Sequence, residues 1–120
     1  MILPSEGMQG GTCDYSVIIP AYNEEDYLGL TLESLGKARK AVPNLTGECI
    51  VVDNQCTDRT VQIAKEFGCR VVLEPTHKIA KVRNTGADAS TGKYLIFVDA
   101  DTIVPVKTFQ KAIKIGRAHV

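Results

Sequence analysis

This chain has no net charge, no paired-cysteine motif and no long apolar run, and each absence excludes a class of function. Its 14 basic and 14 acidic residues cancel, which removes the electrostatic case for nucleic acid or an anionic membrane surface as partner. The four cysteines, Cys13, Cys49, Cys56 and Cys69, stand at irregular spacings with no CxxC pair and no neighbouring histidine. Neither a zinc site nor a redox motif is indicated, and the reading is of a reduced, cytoplasmic chain. No stretch approaches the roughly 20 apolar residues of a membrane span, and Met1-Ile2-Leu3-Pro4-Ser5-Glu6 lacks the basic start and apolar run of a signal peptide. Membrane association through further C-terminal regions stays open. No GxGxxG follows the first strand and no GxxxxGK[ST] occurs, which sets aside dinucleotide oxidoreductases and P-loop enzymes. Internal repeats and low-complexity tracts are also missing.

What is present is enough apolar material for one core: 120 residues with 44% hydrophobic content make a single small domain. Residues 1–13, rich in glycine and polar groups, read as a flexible leader, residues 14–114 as the domain and residues 115–120 as a tail. Four short β-branched runs, at 15–20, 49–53, 69–74 and 94–99, alternate with helical patterns. That is the βαβα signature of an α/β, Rossmann-like, predominantly parallel sheet with helices on both faces.

The helical faces follow from spacing, because a face buried on a sheet needs an apolar residue every three or four positions. Leu28, Leu32 and Leu35 meet that test in the first helix, and Ile63, Ala64 and Phe67 in the second. The second helix starts near Asp58, and Gly68 stands where a left-handed cap is wanted. Ile79, Val82, Gly86 and Ala89 give the third its buried face, with Gly86 permitting close approach to the sheet. A fourth helix is expected after Pro105, carrying Phe109 and Ala112.

Ligands of open parallel sheets bind off the carboxyl ends of the strands, where strand order reverses. Three acidic, polar clusters follow strands there: Pro20-Ala21-Tyr22-Asn23-Glu24-Glu25, Asp53-Asn54-Gln55-Cys56-Thr57-Asp58 and Asp99-Ala100-Asp101-Thr102. The simplest right-handed winding makes the first strand central, with the second and third to one side and the fourth to the other. Tyr22, Asn23 and Glu24 then face Asp99 and Asp101 across one crevice. Two carboxylates at i and i+2 after an apolar run either hold a hard divalent ion with a substrate phosphate or cap a turn or pair with Arg83. Asp58 reads as a helix cap, Cys56 as a small turn residue and His77 as a solvated loop residue.

Four segments in order, Val17-Ile18-Ile19-Pro20-Ala21-Tyr22-Asn23-Glu24-Glu25, Val51-Val52-Asp53-Asn54-Gln55-Cys56-Thr57-Asp58-Arg59-Thr60, Ala80-Lys81-Val82-Arg83-Asn84-Thr85-Gly86 and Tyr94-Leu95-Ile96-Phe97-Val98-Asp99-Ala100-Asp101, resemble the family-two, inverting glycosyltransferases of the A-type fold. The resemblance runs from about Tyr15 to Phe109. It implies a nucleotide-diphosphate sugar as donor, with Pro20, Ala21, Tyr22, Asn23 and Glu24 holding the nucleotide and Asp53 contacting the base. Asp99-Ala100-Asp101 corresponds to the family's DXD motif, which places Asp99 near ribose and metal and makes Asp101 the direct ligand of Mn2+ or Mg2+. Lys81 and Arg83 fall where the family keeps a basic residue near the diphosphate; Arg83 alternatively braces the acidic motif. One departure is plain. The family's acidic-Gly-Ser turn reads Asn54-Gln55-Cys56, so Gln55 replaces a glycine that takes positive φ freely.

The resemblance also implies that the general base for an acceptor hydroxyl comes from a second half of the fold, past the DXD motif. The acceptor, whether glycan, lipid or another hydroxyl, is not identified by these residues. Ile115-Gly116-Arg117-Ala118-His119-Val120 breaks the amphipathic pattern and back-translates to a common sequencing-adapter string, so the expectation is a truncated domain with a non-native tail. Two other readings stand beside the transferase: a noncatalytic sugar-nucleotide- or protein-binding module and, more remotely, a receiver-type signalling domain. The receiver would need an acidic pair after the first strand, where Pro20-Ala21-Tyr22-Asn23 stands.

Overall fold

The computed structural model describes residues 2–4 and 13–111. Ala112 and the expected tail at 115–120 lie outside them. In chain order the elements are β1 (Ile2–Pro4), β2 (Cys13–Ala21), α1 (Leu28–Lys40), β3 (Gly47–Asp53), α2 (Thr60–Glu66), β4 (Arg70–Leu73), α3 (Ile79–Ala89) and β5 (Gly92–Phe97). One five-stranded sheet results, in the order β1-β5-β2-β3-β4. β2 pairs in parallel with β3 on one side and β5 on the other, and β4 pairs in parallel with β3. The expected winding is therefore the observed one, with an added edge. β1 pairs antiparallel with β5, so the reading of 1–13 as a leader does not describe Ile2–Pro4. Its three residues are too few to show a period, and Pro4, which cannot donate to a ladder, suits an edge strand.

Alternation along the strands divides the core between two faces. Val17, Ile19, Val51 and Ile96 point to one face, where Leu28, Leu32, Leu35 and Ala38 of α1, Ala64 of α2 and Phe109 cover them. Ile18, Ile50, Val52 and Leu95 point to the other, beneath Val82 of α3. Helices thus lie on both faces, as expected. The chain is helical again at 108–111, and Phe109 packs its ring 5.0 Å from that of Tyr15.

Two expected helix stripes are narrower than their spacing suggests. Phe67, the C-cap of α2, is 49% exposed and Ile79, the first residue of α3, is 74% exposed. Gly86 does what its position requires: a Cβ there would lie 2.4 Å from Ile18 Cγ2 and 2.9 Å from Val52 Cγ2. Gly68 takes φ +79° just beyond α2, the left-handed conformation of a helix terminator.

At the amino end of the sheet a carboxylate ties three strands together. Glu48 Oε2 accepts the Ser16 hydroxyl at 2.6 Å, the Thr91 N–H at 2.7 Å and the Thr91 hydroxyl at 2.8 Å, while Arg70 lies 3.1 Å from Oε1. Burial alone would push this carboxyl up, but these donors and the Arg70 charge together hold it below its ordinary value. Folding therefore favours the ionised form, and the resulting stability is present above the unfolded value and lost as pH falls through the folded one. Glu48→Gln should cost about 1–3 kcal/mol at neutral pH and flatten the loss of stability on acidification, both read by urea unfolding across a pH series.

Candidate functional site

The parallel strands deliver their following loops to one edge. Residues 22–25 after β2 and 54–60 after β3 are laced together there. The Thr57 N–H donates to Asn23 Oδ1 at 2.8 Å, the Glu24 N–H to Thr60 Oγ1 at 2.8 Å, and the Glu25 N–H to Asp58 Oδ2 at 3.1 Å. The Asn54 N–H donates to the Ala21 carbonyl at 3.0 Å, and Cys56 Sγ lies 3.3 Å from the Asn23 nitrogen. Asp58, expected as the cap of α2, stands one residue before the N-cap Arg59 and instead accepts the Thr60 N–H at 2.9 Å in the turn that leads into the helix. Its carboxyl is held below its ordinary value by these donors, against the opposing effect of burial.

Two non-glycine residues in this lacing have positive φ, Asn23 at 51° and Gln55 at 61°. Asparagine adopts that region readily; glutamine does so at a cost of about 1–2 kcal/mol. The Gln55 conformation is what a glycine would supply, so the departure from the family's turn is accommodated by backbone strain. Asp53 Oδ1 closes the same turn by accepting the Cys56 N–H at 2.7 Å, which leaves its second oxygen for a ligand.

A cavity of about 190 Å³ opens beside these loops, lined by Pro20, Ala21, Tyr22, Asn54, His77, Ile79 and Val82. Pro20, Ala21 and Tyr22 were expected at the site; Asn54, His77, Ile79 and Val82 were not. Asn54 is buried and donates from Nδ2 to the carbonyls of Glu74, at 2.7 Å, and Thr76, at 3.1 Å. Those two carbonyls fix the amide orientation, so Oδ1 accepts from His77 Nδ1, 2.8 Å away. His77 is an exposed loop residue, as expected, and it also meets the Tyr22 ring edge-on with centroids 5.2 Å apart. Buried Glu74 anchors the loop below it, accepting the Thr85 hydroxyl at 2.5 Å and the Thr76 N–H at 3.0 Å. Lys81 lies 4.0 Å from Glu74. The Thr85 hydroxyl above all, then the Thr76 N–H, hold the Glu74 carboxyl below its ordinary value. An acid directly after a strand and before Pro75 was the available signal.

Asp99-Ala100-Asp101 emerges from β5 next to the end of β2. The Val98 N–H donates to the Ile18 carbonyl at 3.0 Å and the Thr102 N–H to the Asp99 carbonyl at 3.1 Å. From α1, the fully buried Thr31 donates its hydroxyl to the Ala100 carbonyl at 2.8 Å. Ser34 Oγ accepts the Val104 N–H at 2.8 Å. Ala100 is thereby buried while Asp99 and Asp101 stay exposed on either side. Glu24 feels one of them: partial burial, then the charges of Asp101 and Asp58, push its carboxyl above its ordinary value. Among the described residues no cation lies within ion-pair distance of Asp99 or Asp101, and Arg83 instead lies over the Phe97 ring at 5.7 Å. No group of three or more His, Cys, Asp or Glu side chains forms a metal cage among the described residues. Two exposed carboxylates in mutually repelling company are the donor set of a hard cation shared with a ligand's phosphates, so the residues fit such an ion.

Residues 16–117 match the sequence model of Glycosyl transferase family 2. The chain belongs to that family. Poly(ribitol-phosphate) beta-N-acetylglucosaminyltransferase TarS of Staphylococcus aureus is 32% identical over 104 residues, 82% of this chain and 18% of TarS. The crystal structure of S. aureus TarS 1-349 in complex with UDP matches with a TM-score of 0.75 at 30% identity, over 88% of this chain and 32% of that one. Mannosyltransferase PcManGT from Pyrobaculum calidifontis, in complex with GDP-Man and Mn2+, matches with a TM-score of 0.74 at 25% identity, over 85% and 32%. The chain has the Rossmann-like A-type fold of these relatives and spans less than a fifth of TarS. Family membership separates it from receiver domains.

The Thr31 hydroxyl is the tether between α1 and the acidic turn. Thr31→Val removes the donor and leaves the Ala100 carbonyl unpaired in the core, which should cost about 1–3 kcal/mol of stability in urea unfolding. Serine at the same position should restore most of it.

Proposed function

We propose that the carboxyl edge of this sheet binds a nucleotide-diphosphate sugar together with Mn2+ or Mg2+, and that the whole protein transfers a hexosyl-type sugar to an acceptor hydroxyl with inversion. The observation carrying this reading is the parallel adjacency of β2 and β5, which sends the loop after β2 and the Asp99-Ala100-Asp101 turn to one edge of the sheet, where the charges of Glu24 and Asp101 act on one another. Relatives in complex with UDP and with GDP-Man and Mn2+ support it.

In this reading the cavity beside Tyr22 receives the nucleoside, with Pro20, Ala21 and the Tyr22 ring offering an apolar wall. Asp53 accepts from the base through the oxygen that the Cys56 N–H does not use. Asp99 stands at the ribose and, with Asp101, holds the cation, while the Ala100 carbonyl stays fixed by Thr31. A divalent ion there supplies positive charge against the departing diphosphate. Arg83 and Lys81, both on α3, would meet the diphosphate. Arg83 has no carboxylate partner among the described residues, and Lys81 holds only the long contact to Glu74, so both are available to an anion.

Nucleoside diphosphate should bind, by calorimetry, only with Mn2+ or Mg2+ present. Asp101→Asn should weaken that binding by more than the ~10–100-fold that losing an outer-shell partner of a metal costs. Equal affinity with chelator present would overturn the metal assignment. These 120 residues should also release nucleotide slowly from a nucleotide sugar without forming glycoside. Loss of a general base alone costs a factor of about 10²–10⁴, and loss of acceptor positioning adds to it. Parallel measurement of nucleotide release and glycoside formation over a panel of donors and acceptors decides this, and efficient glycoside formation would refute the division of labour.

A further inference from the structure

Irregular spacing hides a pair of cysteines that the sheet brings together. The register pairs Ile50 with Arg70 in parallel strands, so the residues just before them, Cys49 and Cys69, are neighbours across the ladder. Their sulfurs lie 3.2 Å apart, and both residues are free thiols. Cys49 is buried, whereas Cys69 is half-buried in the connection that follows Gly68. A cavity of about 100 Å³ reaches both, bordered by Gly36, Arg39 and Phe67, against a water's share of about 30 Å³. A small oxidant can therefore enter.

We propose that Cys49 and Cys69 form a peroxide-reactive dithiol that closes reversibly to an intrachain disulfide. The Cys69 thiolate attacks one oxygen of hydrogen peroxide and the O–O bond breaks. The released hydroxide takes up a proton as water, and Cys69 becomes a sulfenic acid. Cys49 then gives up its proton and attacks the Cys69 sulfur. The S–O bond breaks, and the departing hydroxide leaves as a second water. Two thiols and one peroxide thus give one disulfide and two waters, and an external thiol reverses the closure.

The surroundings assign the two roles. The hydrogen bond with Cys69, then burial, push the Cys49 thiol well above its ordinary value, so it keeps its proton until the second step. That same hydrogen bond, with the Arg39 charge assisting against burial, pulls Cys69 below its ordinary value. Arg39 is itself held, donating from Nη2 to the Gly47 carbonyl at 2.8 Å and from Nε to the Tyr15 hydroxyl at 3.0 Å. The attacking sulfur is thus the more accessible one, and the resolving sulfur is already in contact. Closure is local. Cys69 precedes β4 rather than lying within it, so the shift falls on residues 67–69. The pair sits four positions before Asp53 on β3, away from the carboxyl edge, and the inference does not depend on the donor-site reading.

The test is non-reducing peptide mapping of the 120-residue chain after a small molar excess of hydrogen peroxide, folded and in urea. A Cys49–Cys69 linked peptide should form at least about tenfold faster in the folded chain, because folding supplies the proximity, and dithiothreitol should remove it. In Cys49→Ser, dimedone should trap Cys69 as its sulfenic-acid adduct. Faster oxidation of Cys13 or Cys56, disulfides between chains, or linking no faster than in urea would each overturn the proposal.

Discussion

β2 is the constraint on which the remaining structure rests. Val17, Ile18 and Ile19 are all fully buried, and the strand's backbone pairs with β3 on one side and β5 on the other. A strand enclosed in this way needs apolar residues on both faces and parallel neighbours whose connections cross over the sheet. Once those conditions hold, the carboxyl ends of β2, β3, β4 and β5 point the same way. The residues after β2, β3 and β5 are then neighbours in space although the first and last stand almost eighty positions apart. The chemistry at that edge is a consequence of strand order before it is a matter of any single side chain.

The loops at that edge fall into two kinds. Those after β2 and β3 satisfy one another: Asn23, Asp53, Asp58 and Thr60 each spend polar atoms on a neighbouring backbone N–H. No buried side-chain nitrogen or oxygen among the described residues lacks a partner. The turn after β5 is the opposite case, because its backbone is pinned by Thr31 and Ser34 while Asp99 and Asp101 stay exposed with no ionic partner among the described residues. A rigid frame that holds two uncompensated carboxylates against a third has placed its electrostatic conflict at one point, and such local conflict is the usual mark of a ligand site.

Much of this was legible from residue order. The alternation in the strands, the Leu28, Leu32 and Leu35 stripe, and the acidic clusters each leave a local signal, and the simplest winding turns those signals into the observed order. What was not legible depends on distance in sequence or on the ends of elements. Ile79 and Phe67 satisfy helical spacing, yet spacing is blind to their standing at helix termini, where both are exposed. Asn54, Glu74 and His77 come together only because β3 and β4 are adjacent, and a lone histidine carries no linear cue of its tyrosine and asparagine partners. Cys49 and Cys69 are separated by a whole helix, so a search for CxxC spacing passes over them. β1 is too short to display a period of two.

The Asn54-Gln55-Cys56 turn shows how a departure from a family pattern is absorbed. Gln55 keeps the left-handed conformation, at φ 61°, and the backbone therefore still presents the Cys56 N–H to Asp53 Oδ1. Cys56 in turn places its sulfur within reach of both the Asn23 nitrogen, at 3.3 Å, and the Ala21 carbonyl oxygen, at 3.4 Å. A serine hydroxyl could meet the same two atoms, as acceptor and donor, at shorter distance. The substitution exchanges stronger hydrogen bonds for a larger, softer atom that fills the gap between the loops. Because the loop after β2 is held from that side, the orientation of Tyr22 beside the cavity is set partly by a residue that never faces it. Geometry at this edge is thus maintained by the contact between two turns rather than by the identity of any one residue within them.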